Sequence, residues 1–147
     1  DRHFRSWLRQ KFGISKAYLF IGLINKRADL YTHLQSVGYQ LIFKEVVYDG
    51  TGKAKGNCDA DLIVRAMKEA YENTHEKAVL IASDGDYAAL VAFLIERQKF
   101  EIILSPAPSK KCSILLKRTG AKIAYINDQR SILEAIKEKT PDADETA

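Results

Sequence analysis

Cysteine, histidine and long apolar runs are all scarce in this chain of 147 residues. Its two cysteines, Cys58 and Cys112, stand far apart without a paired motif, which argues against a disulfide framework and fits a reducing compartment. With three scattered histidines, the chain also lacks the ligand cluster of a structural zinc site. The longest apolar run, residues 17–24, is strand-sized and far short of the roughly 18 residues that span a membrane. These scarcities predict a soluble, cytoplasmic globular protein.

Charge is unevenly distributed along the chain. The net charge is +4, yet the last seven residues, 141–147, hold three acids and no base. The rest of the chain carries 23 basic against 16 acidic residues, a net charge of +7. A basic body favours a polyanionic partner such as a nucleic acid. We predict one domain over residues 1–140, followed by a disordered acidic tail over residues 141–147.

Apolar segments with strand and helix periodicity alternate along the chain, which is typical of an α/β protein. The pattern predicts a doubly wound, mostly parallel sheet flanked by helices. Strands are expected at residues 17–24, 40–48, 77–83, 100–104 and 122–126. Helices are expected at residues 4–12, 28–36, 58–73, 86–98, 111–118 and 130–138. The inward stripe of the helix over 58–73 is expected to hold Leu62, Ile63, Ala66, Met67, Ala70 and Tyr71.

Two aspartates, Asp84 and Asp86, follow directly after the apolar strand at residues 77–83. Ligands bind at the carboxyl ends of parallel strands, where loops and helix N-termini converge. Two acids this close repel each other unless a cation, hydrogen bonds or a proton offsets their charge. Asp86 alone is equally explained as a helix cap. Ser83 adds a hydroxyl, and Gly85 is expected to let the backbone approach a ligand closely.

A third aspartate, Asp59, opens the preceding helix on the same face as Leu62 and Ile63. An inward carboxylate in this first turn points towards Asp84, whereas Asp61 falls on the outer side. Asp59 is also explained as an acid that complements the helix dipole. Hard cations such as Mg²⁺ and Mn²⁺ take carboxylate oxygens, so the three acids predict a divalent-metal site.

Lysines stand on both sides of these acids along the sequence. Lys53 and Lys55 lie in a glycine-rich loop, and Lys110 and Lys111 precede the helix over 111–118. Each is a candidate contact for a phosphodiester backbone, although a solvated loop lysine explains any one of them equally well. The loop around Lys53 is not a P-loop, because its spacing is too short and no serine or threonine follows the lysine.

Two ordered motifs identify a family resemblance. Lys55-Gly56-Asn57-Cys58-Asp59 at a helix start and Ser83-Asp84-Gly85-Asp86-Tyr87 after a strand resemble the NYN domain, a branch of the PIN-like nucleases. The segment Lys111–Leu116 is similar to the serine-containing helix of that family, and the likeness spans residues 17–133.

The resemblance implies a PIN-like α/β fold, a metal-binding acidic site and RNA as substrate. It implies that Asp59, Asp84 and Asp86 are the metal-site carboxylates. It also implies that Ser83 and Ser113 line the site, and Asn57 beside Lys55 is a further candidate substrate contact. We therefore predict a Mg²⁺- or Mn²⁺-dependent endoribonuclease that acts on single-stranded RNA, with a homodimer kept as an alternative to the monomer.

The chain departs from the NYN pattern at three points. The acid that ends the family's first strand has no match, since the nearest segment carries Gly22 there, so we expect that strand to be absent from this chain. Arg65 stands where many members have another acid, and no acid matches the one near the end of the serine-containing helix. These departures leave open a catalytically impaired RNA-binding or scaffold domain.

A second alternative is a haloacid-dehalogenase-like phosphatase, which also places Asp-x-Asp after a strand. That motif normally follows an early strand and continues to threonine or valine, whereas this chain has Ala88.

Overall fold

The computed structural model describes residues 2–55, 58–73 and 76–129. The chain divides into two compact units, of which the first is described over residues 2–55 and 58 and the second over residues 59–73 and 76–129. Parallel strands alternate with helices in both units, which confirms the predicted α/β class. The predicted helix at residues 130–138 and the acidic tail lie outside the described residues.

The described residues of the first unit form two α-helices and four strands, with a 3-10 helix at Asn25–Arg27 before the second α-helix. In chain order they are α1 (Arg2–Phe12), β1 (Ala17–Leu23), α2 (Ala28–Ser36), β2 (Tyr39–Glu45), β3 (Val47–Tyr48) and β4 (Ala54–Lys55). β1 and β2 are parallel, in a register that runs from Ala17 opposite Tyr39 to Leu23 opposite Glu45. Helix α1 ends where Gly13 adopts a φ of +67° and its amide donates to the Arg9 carbonyl.

A buried arginine and a buried tyrosine connect the segments of this first unit. Arg5 is 2% exposed, and its guanidinium donates to the carbonyls of Gly38, Ile14 and Ser15 at 3.4, 3.2 and 3.0 Å. The Tyr31 hydroxyl donates to the Gly22 carbonyl and accepts from the Ile24 amide. Polar side chains thereby satisfy backbone groups that the loops would otherwise leave unpaired.

The single strand predicted at residues 40–48 is wrong. β2 ends at Glu45, and after Val46 the residues Val47–Tyr48 form β3, which pairs antiparallel with β4. The turn between β3 and β4 is held by Asp49, whose side chain accepts from the Thr51 hydroxyl and from the amides of Thr51 and Lys53. This turn reverses the chain, so the apolar run is divided between two different pairings.

The second unit is built on a three-stranded parallel sheet. Its elements are α3 (Asp59–Glu72), β5 (Ala78–Ile81), α4 (Ala88–Glu96), β6 (Phe100–Ser105), α5 (Ile114–Lys117) and β7 (Ile123–Tyr125). Short 3-10 helices precede α4, at Gly85–Tyr87, and α5, at Ser109–Lys111. The strand order is β5-β6-β7.

The core of this second unit is mainly apolar, with Ser105 as a buried polar residue whose hydroxyl donates to the Ala107 carbonyl at 2.7 Å. Val91, Ile103, Leu104 and Leu116 are 0% exposed. On helix α3, Ala70 is buried, but Met67 and Tyr71 are 40% and 80% exposed, so their predicted inward position is wrong. At about 100° per residue, Tyr71 lies a quarter turn or more from Ala70, beyond the edge of the buried stripe.

None of the helices within the described part of the chain combines the length and the apolar character that a membrane crossing requires.

Candidate metal centre

Asp84 lies in the loop after β5 and starts the turn that leads into α4. Its backbone is extended, with φ −86° and ψ 131°, and its Oδ1 accepts a hydrogen bond from the Asp86 amide at 2.9 Å. The helix cap is therefore Asp84, whereas the sequence had offered Asp86 for that role. Both carboxylates are exposed. The hydrogen bond from the Asp86 amide to the Asp84 carboxylate holds the backbone of the turn on which both aspartates lie.

Asp59 is the first residue of α3 and is only partly exposed. It precedes Ala70 by 11 residues, which at about 100° per residue places it within about 20° of that buried position. The hydroxyl of Tyr87 donates to its Oδ1 at 2.5 Å. Asp59 therefore faces the 3-10 helix Gly85–Tyr87, and Asp61 in the same turn is exposed.

The three aspartates come together in space. Asp59, Asp84 and Asp86 each offer one carboxylate oxygen, and the three oxygens lie within 4.8 Å of one another. Two like charges about 4 Å apart repel by about 1 kcal/mol in bulk water and about 4 kcal/mol near a protein surface. A divalent cation between them would convert this repulsion into attraction.

The donor set fits a hard cation. All three ligand atoms are carboxylate oxygens, which suit Mg²⁺ and Mn²⁺. The three oxygens lie within 4.8 Å of one another, close enough for small side-chain rotations to bring them to one ion. The exposure of Asp84 and Asp86 leaves room for the several waters that Mg²⁺ keeps.

Ser113 fastens the acidic loop to helix α5. Its amide donates to the Ser83 carbonyl at 3.0 Å, and its Oγ accepts from the Leu115 amide at 3.1 Å as the cap of that helix. A Cβ built on Gly85 would lie 2.4 Å from the Ser113 Oγ and 3.0 Å from the Leu115 Cδ1. The close approach that requires glycine is thus made to Ser113 and Leu115 of the chain itself, and the expected approach of this backbone to a ligand stays a prediction.

The predicted substrate contacts divide between the two units. Lys110 and Lys111 are exposed on the 3-10 helix that precedes Ser113 and lie in the same unit as the acids. Near them, the Lys117 Nζ donates to the Ser109 carbonyl at 2.6 Å. Lys53 is exposed in the turn held by Asp49, and Lys55 belongs to β4, both in the first unit. Asn57 lies outside the described residues.

The contact between Tyr87 and Asp59 is a feature of this site that sequence reasoning missed. Tyr87 is part of the motif after β5, but nothing in its position indicates a partner 28 residues earlier. The available signal was the tyrosine itself, because a buried tyrosine hydroxyl usually needs a polar partner.

Comparisons with known proteins agree with the motifs. A family model described as NYN domain matches residues 2–126. The chain is also similar to a solved structure, a protein of unknown function from Vibrio parahaemolyticus, with a TM-score of 0.68 and 20% identity. That match covers 87% of this chain and 79% of the other, and at this identity it supports the fold alone. A search of curated proteins gives no match.

Proposed function

Because the chain belongs to the NYN domain family, a branch of the PIN-like nuclease superfamily, we propose that it is a metal-dependent endoribonuclease. The observation that carries this proposal is the group of three carboxylate oxygens within 4.8 Å of one another. PIN-like nucleases generally use divalent metals, and NYN nuclease domains act on RNA. The proposed reaction is hydrolysis of RNA phosphodiester bonds, and residues 1–140 are proposed to form one NYN domain.

Asp59, Asp84 and Asp86 would hold Mg²⁺ or Mn²⁺. When bound, such an ion supplies positive charge against a phosphate and lowers the pKa of water. The chain's part is to keep the three carboxylates in place before substrate arrives. The Asp84–Asp86 bond and the bond from Ser113 to the Ser83 carbonyl hold the loop that carries two of them.

The proposed substrate contacts are the lysines and small polar residues predicted from the sequence. Lys110 and Lys111 are exposed beside Ser113, where their charge would attract a phosphodiester backbone. Ser83 and Ser113 would line the site, with Lys53, Lys55 and Asn57 as further contacts. We propose single-stranded RNA as the substrate, since sequence-specific recognition of RNA mostly targets single-stranded segments.

The cellular setting of this activity is part of the proposal. Cys58 and Cys112 form no disulfide within the described residues, as is usual in a reducing compartment, and we propose a cytoplasmic location. The homodimer kept open by the sequence stays a prediction.

A non-catalytic RNA-binding domain is the second candidate. It is favoured by Arg65, a partly exposed cation on the same helix as Asp59, where an acid is common in the family. RNA binding that weakens with salt, needs no divalent ion and is accompanied by no cleavage would support it. The family assignment favours both of these readings over the phosphatase alternative.

Replacing Asp84 with asparagine tests the proposed nuclease directly. Asp84→Asn keeps the size of the side chain and an oxygen that can accept from the Asp86 amide, but it removes one negative charge from the site. A metal contributes several kcal/mol of charge stabilisation, so cleavage of single-stranded RNA in Mg²⁺ or Mn²⁺ should fall by about 100-fold or more.

Asp61→Asn is the matched control, because Asp61 is an exposed aspartate in the first turn of α3 but stands outside the acidic group. It should cut at nearly the parental rate. If both variants stayed folded and cleaved RNA at the same rate, the assignment of Asp84 to the catalytic site would be wrong, whereas no cleavage by the parent protein would contradict the nuclease itself.

A further inference from the structure

We propose that Tyr87 is a positioning residue that holds the Asp59 carboxylate in place for the metal ion. Its hydroxyl donates to the Asp59 Oδ1 at 2.5 Å, and the residue is 8% exposed. This inference rests on the proposed metal site and goes beyond it, because it assigns a role to a residue that is not itself a ligand.

The ring of Tyr87 is fixed by the core of the second unit. It belongs to the buried cluster that contains Leu80, Val91 and Ile103. A ring packed within a buried cluster has little rotational freedom, which restricts the position of its hydroxyl. A hydrogen bond to that hydroxyl therefore ties Asp59 to the core of the unit.

One short turn connects all three ligands through Tyr87. The 3-10 helix Gly85–Tyr87 follows Asp84 and contains Asp86, and the Tyr87 amide donates to the Asp84 carbonyl at 3.4 Å. The side chain of the same residue reaches Asp59 on α3. Tyr87 thereby sets the distance between a carboxylate on one helix and two carboxylates on a separate loop.

Ordering the ligand before the ion arrives should raise affinity. An aspartate at the first position of a helix would otherwise sample several rotamers, and fixing one of them costs free energy when the ion binds. Partners that orient metal ligands typically contribute about 10–100-fold to metal affinity or activity. A buried tyrosine that merely satisfies its hydroxyl would affect stability and leave metal affinity unchanged.

The test measures Mn²⁺ binding to the full chain without RNA, by calorimetry or by the electron paramagnetic resonance signal of free Mn²⁺. Tyr87→Phe keeps the ring in the core and removes only the hydroxyl. The Mn²⁺ dissociation constant should rise by about 10–100-fold. Tyr125→Phe is the matched control, since Tyr125 also packs against the same core, and its dissociation constant should equal that of the parent.

A second pair of variants shows whether the effect runs through Asp59. Asp59→Asn should weaken Mn²⁺ binding by itself, and adding Tyr87→Phe to it should weaken binding little further. Full additivity of the two changes would overturn the proposal. So would a lowered melting temperature of Tyr87→Phe with an unchanged Mn²⁺ affinity, or a parent protein that binds no Mn²⁺.

Different results test the positioning role of Tyr87 and the nuclease activity. If the parent binds Mn²⁺ in a way that depends on Tyr87 but leaves RNA intact, the proposed activity is wrong and the positioning role stands. If RNA is cleaved and Tyr87→Phe leaves both the Mn²⁺ affinity and the metal concentration for half-maximal rate unchanged, the activity stands and the positioning role is wrong.

Discussion

The two units of this molecule bury their interiors by different means. In the second unit, Val91, Ile103, Leu104 and Leu116 are wholly inaccessible to solvent. Among the described residues of the first, the buried apolar side chains are Leu8, Tyr31 and Tyr39, which keep 3–8% exposure, and a buried arginine lies among the loops. Apolar packing stabilises by area without fixing directions, whereas hydrogen bonds fix directions. The candidate metal centre lies in the second unit, which has the more completely buried core.

Truncating a core side chain in each unit should show the largest difference in lost stability between the two units. Ile103→Ala should lower the free energy of unfolding by about 2–5 kcal/mol, because Ile103 is fully buried and leaves a cavity. Leu19→Ala on β1 of the first unit should cost about 1–2 kcal/mol, because Leu19 is only partly buried. Urea denaturation followed by circular dichroism measures both. Equal losses would show that the difference in burial between the two units does not affect the free energy of unfolding.

In the first unit we expect the largest single loss from a polar side chain. Arg5→Met keeps an apolar stem but leaves the carbonyls of Gly38, Ile14 and Ser15 without their charged donor. The expected cost is about 2–3 kcal/mol in the free energy of unfolding. Arg9→Met, an exposed arginine on the same helix, is the control and should cost little.

The pKa of Tyr39 gives an independent measure of the charge that Arg5 places beside it. Burial raises the pKa of the Tyr39 hydroxyl above its usual 10.0, and the positive charge of Arg5 lowers it in part. Arg5→Met should therefore raise the pKa of Tyr39 further, which an ultraviolet titration of the folded protein detects. A fall in that pKa would mean that the guanidinium does not act on the phenol.

Gly85→Ala tests how closely the acidic loop approaches α5. The new Cβ would lie 2.4 Å from the Ser113 Oγ, so the loop or the cap must shift, at a cost of about 1–3 kcal/mol. Adding Ser113→Ala removes the nearest atom, and the double variant should be less destabilised than the sum of the two single variants. Thermal melts of the four proteins measure this. Strict additivity would contradict the close approach.

The smallest expected effect is at the turn of the first unit. Hydrogen bonds from the Thr51 hydroxyl and from the amides of Lys53 and Thr51 lower the pKa of Asp49 below its usual 3.8. A carboxyl group whose pKa is lower in the folded than in the unfolded state stabilises the fold at pH values above its unfolded-state pKa. This stability is lost as the pH falls through its folded-state pKa. Nuclear magnetic resonance titration should show the depressed pKa in the parent, and Thr51→Val should return it towards normal. An unshifted Asp49 would contradict the turn.

Sequence patterns predicted well those elements whose start and end are marked by residues nearby in the chain. Helix α2 has the bounds expected for it, 28–36, because an apolar face and the glycine at position 38, with a φ of +107°, define both its span and its end. The strand at 40–48 was wrong because its apolar run gives no sign that the pairing partner changes after Glu45, from β1 to β4. Met67 and Tyr71 were placed inward because apolar character alone does not show how wide a stripe the neighbouring elements cover.

The site was predictable to the extent that it follows from parallel-sheet topology. Asp84 and Asp86 end a strand and Asp59 starts a helix, so their approach could be expected, and the oxygens lie within 4.8 Å of one another. The contact from Tyr87 to Asp59 and the fit of Gly85 against Ser113 depend on which side chains meet across loops. Such contacts are set by packing in three dimensions and leave no periodic trace in the sequence.

The bond between the Asp84 carboxylate and the Asp86 amide has a practical consequence for handling this protein. The loop is supported by backbone and side-chain bonds of the polypeptide, unlike small metal-dependent domains that unfold when their ion is removed. Chelation with EDTA should therefore leave the circular dichroism spectrum unchanged. Dialysis into fresh Mn²⁺ should then reload the site without a refolding step, so preparations stripped of adventitious ions remain usable starting material.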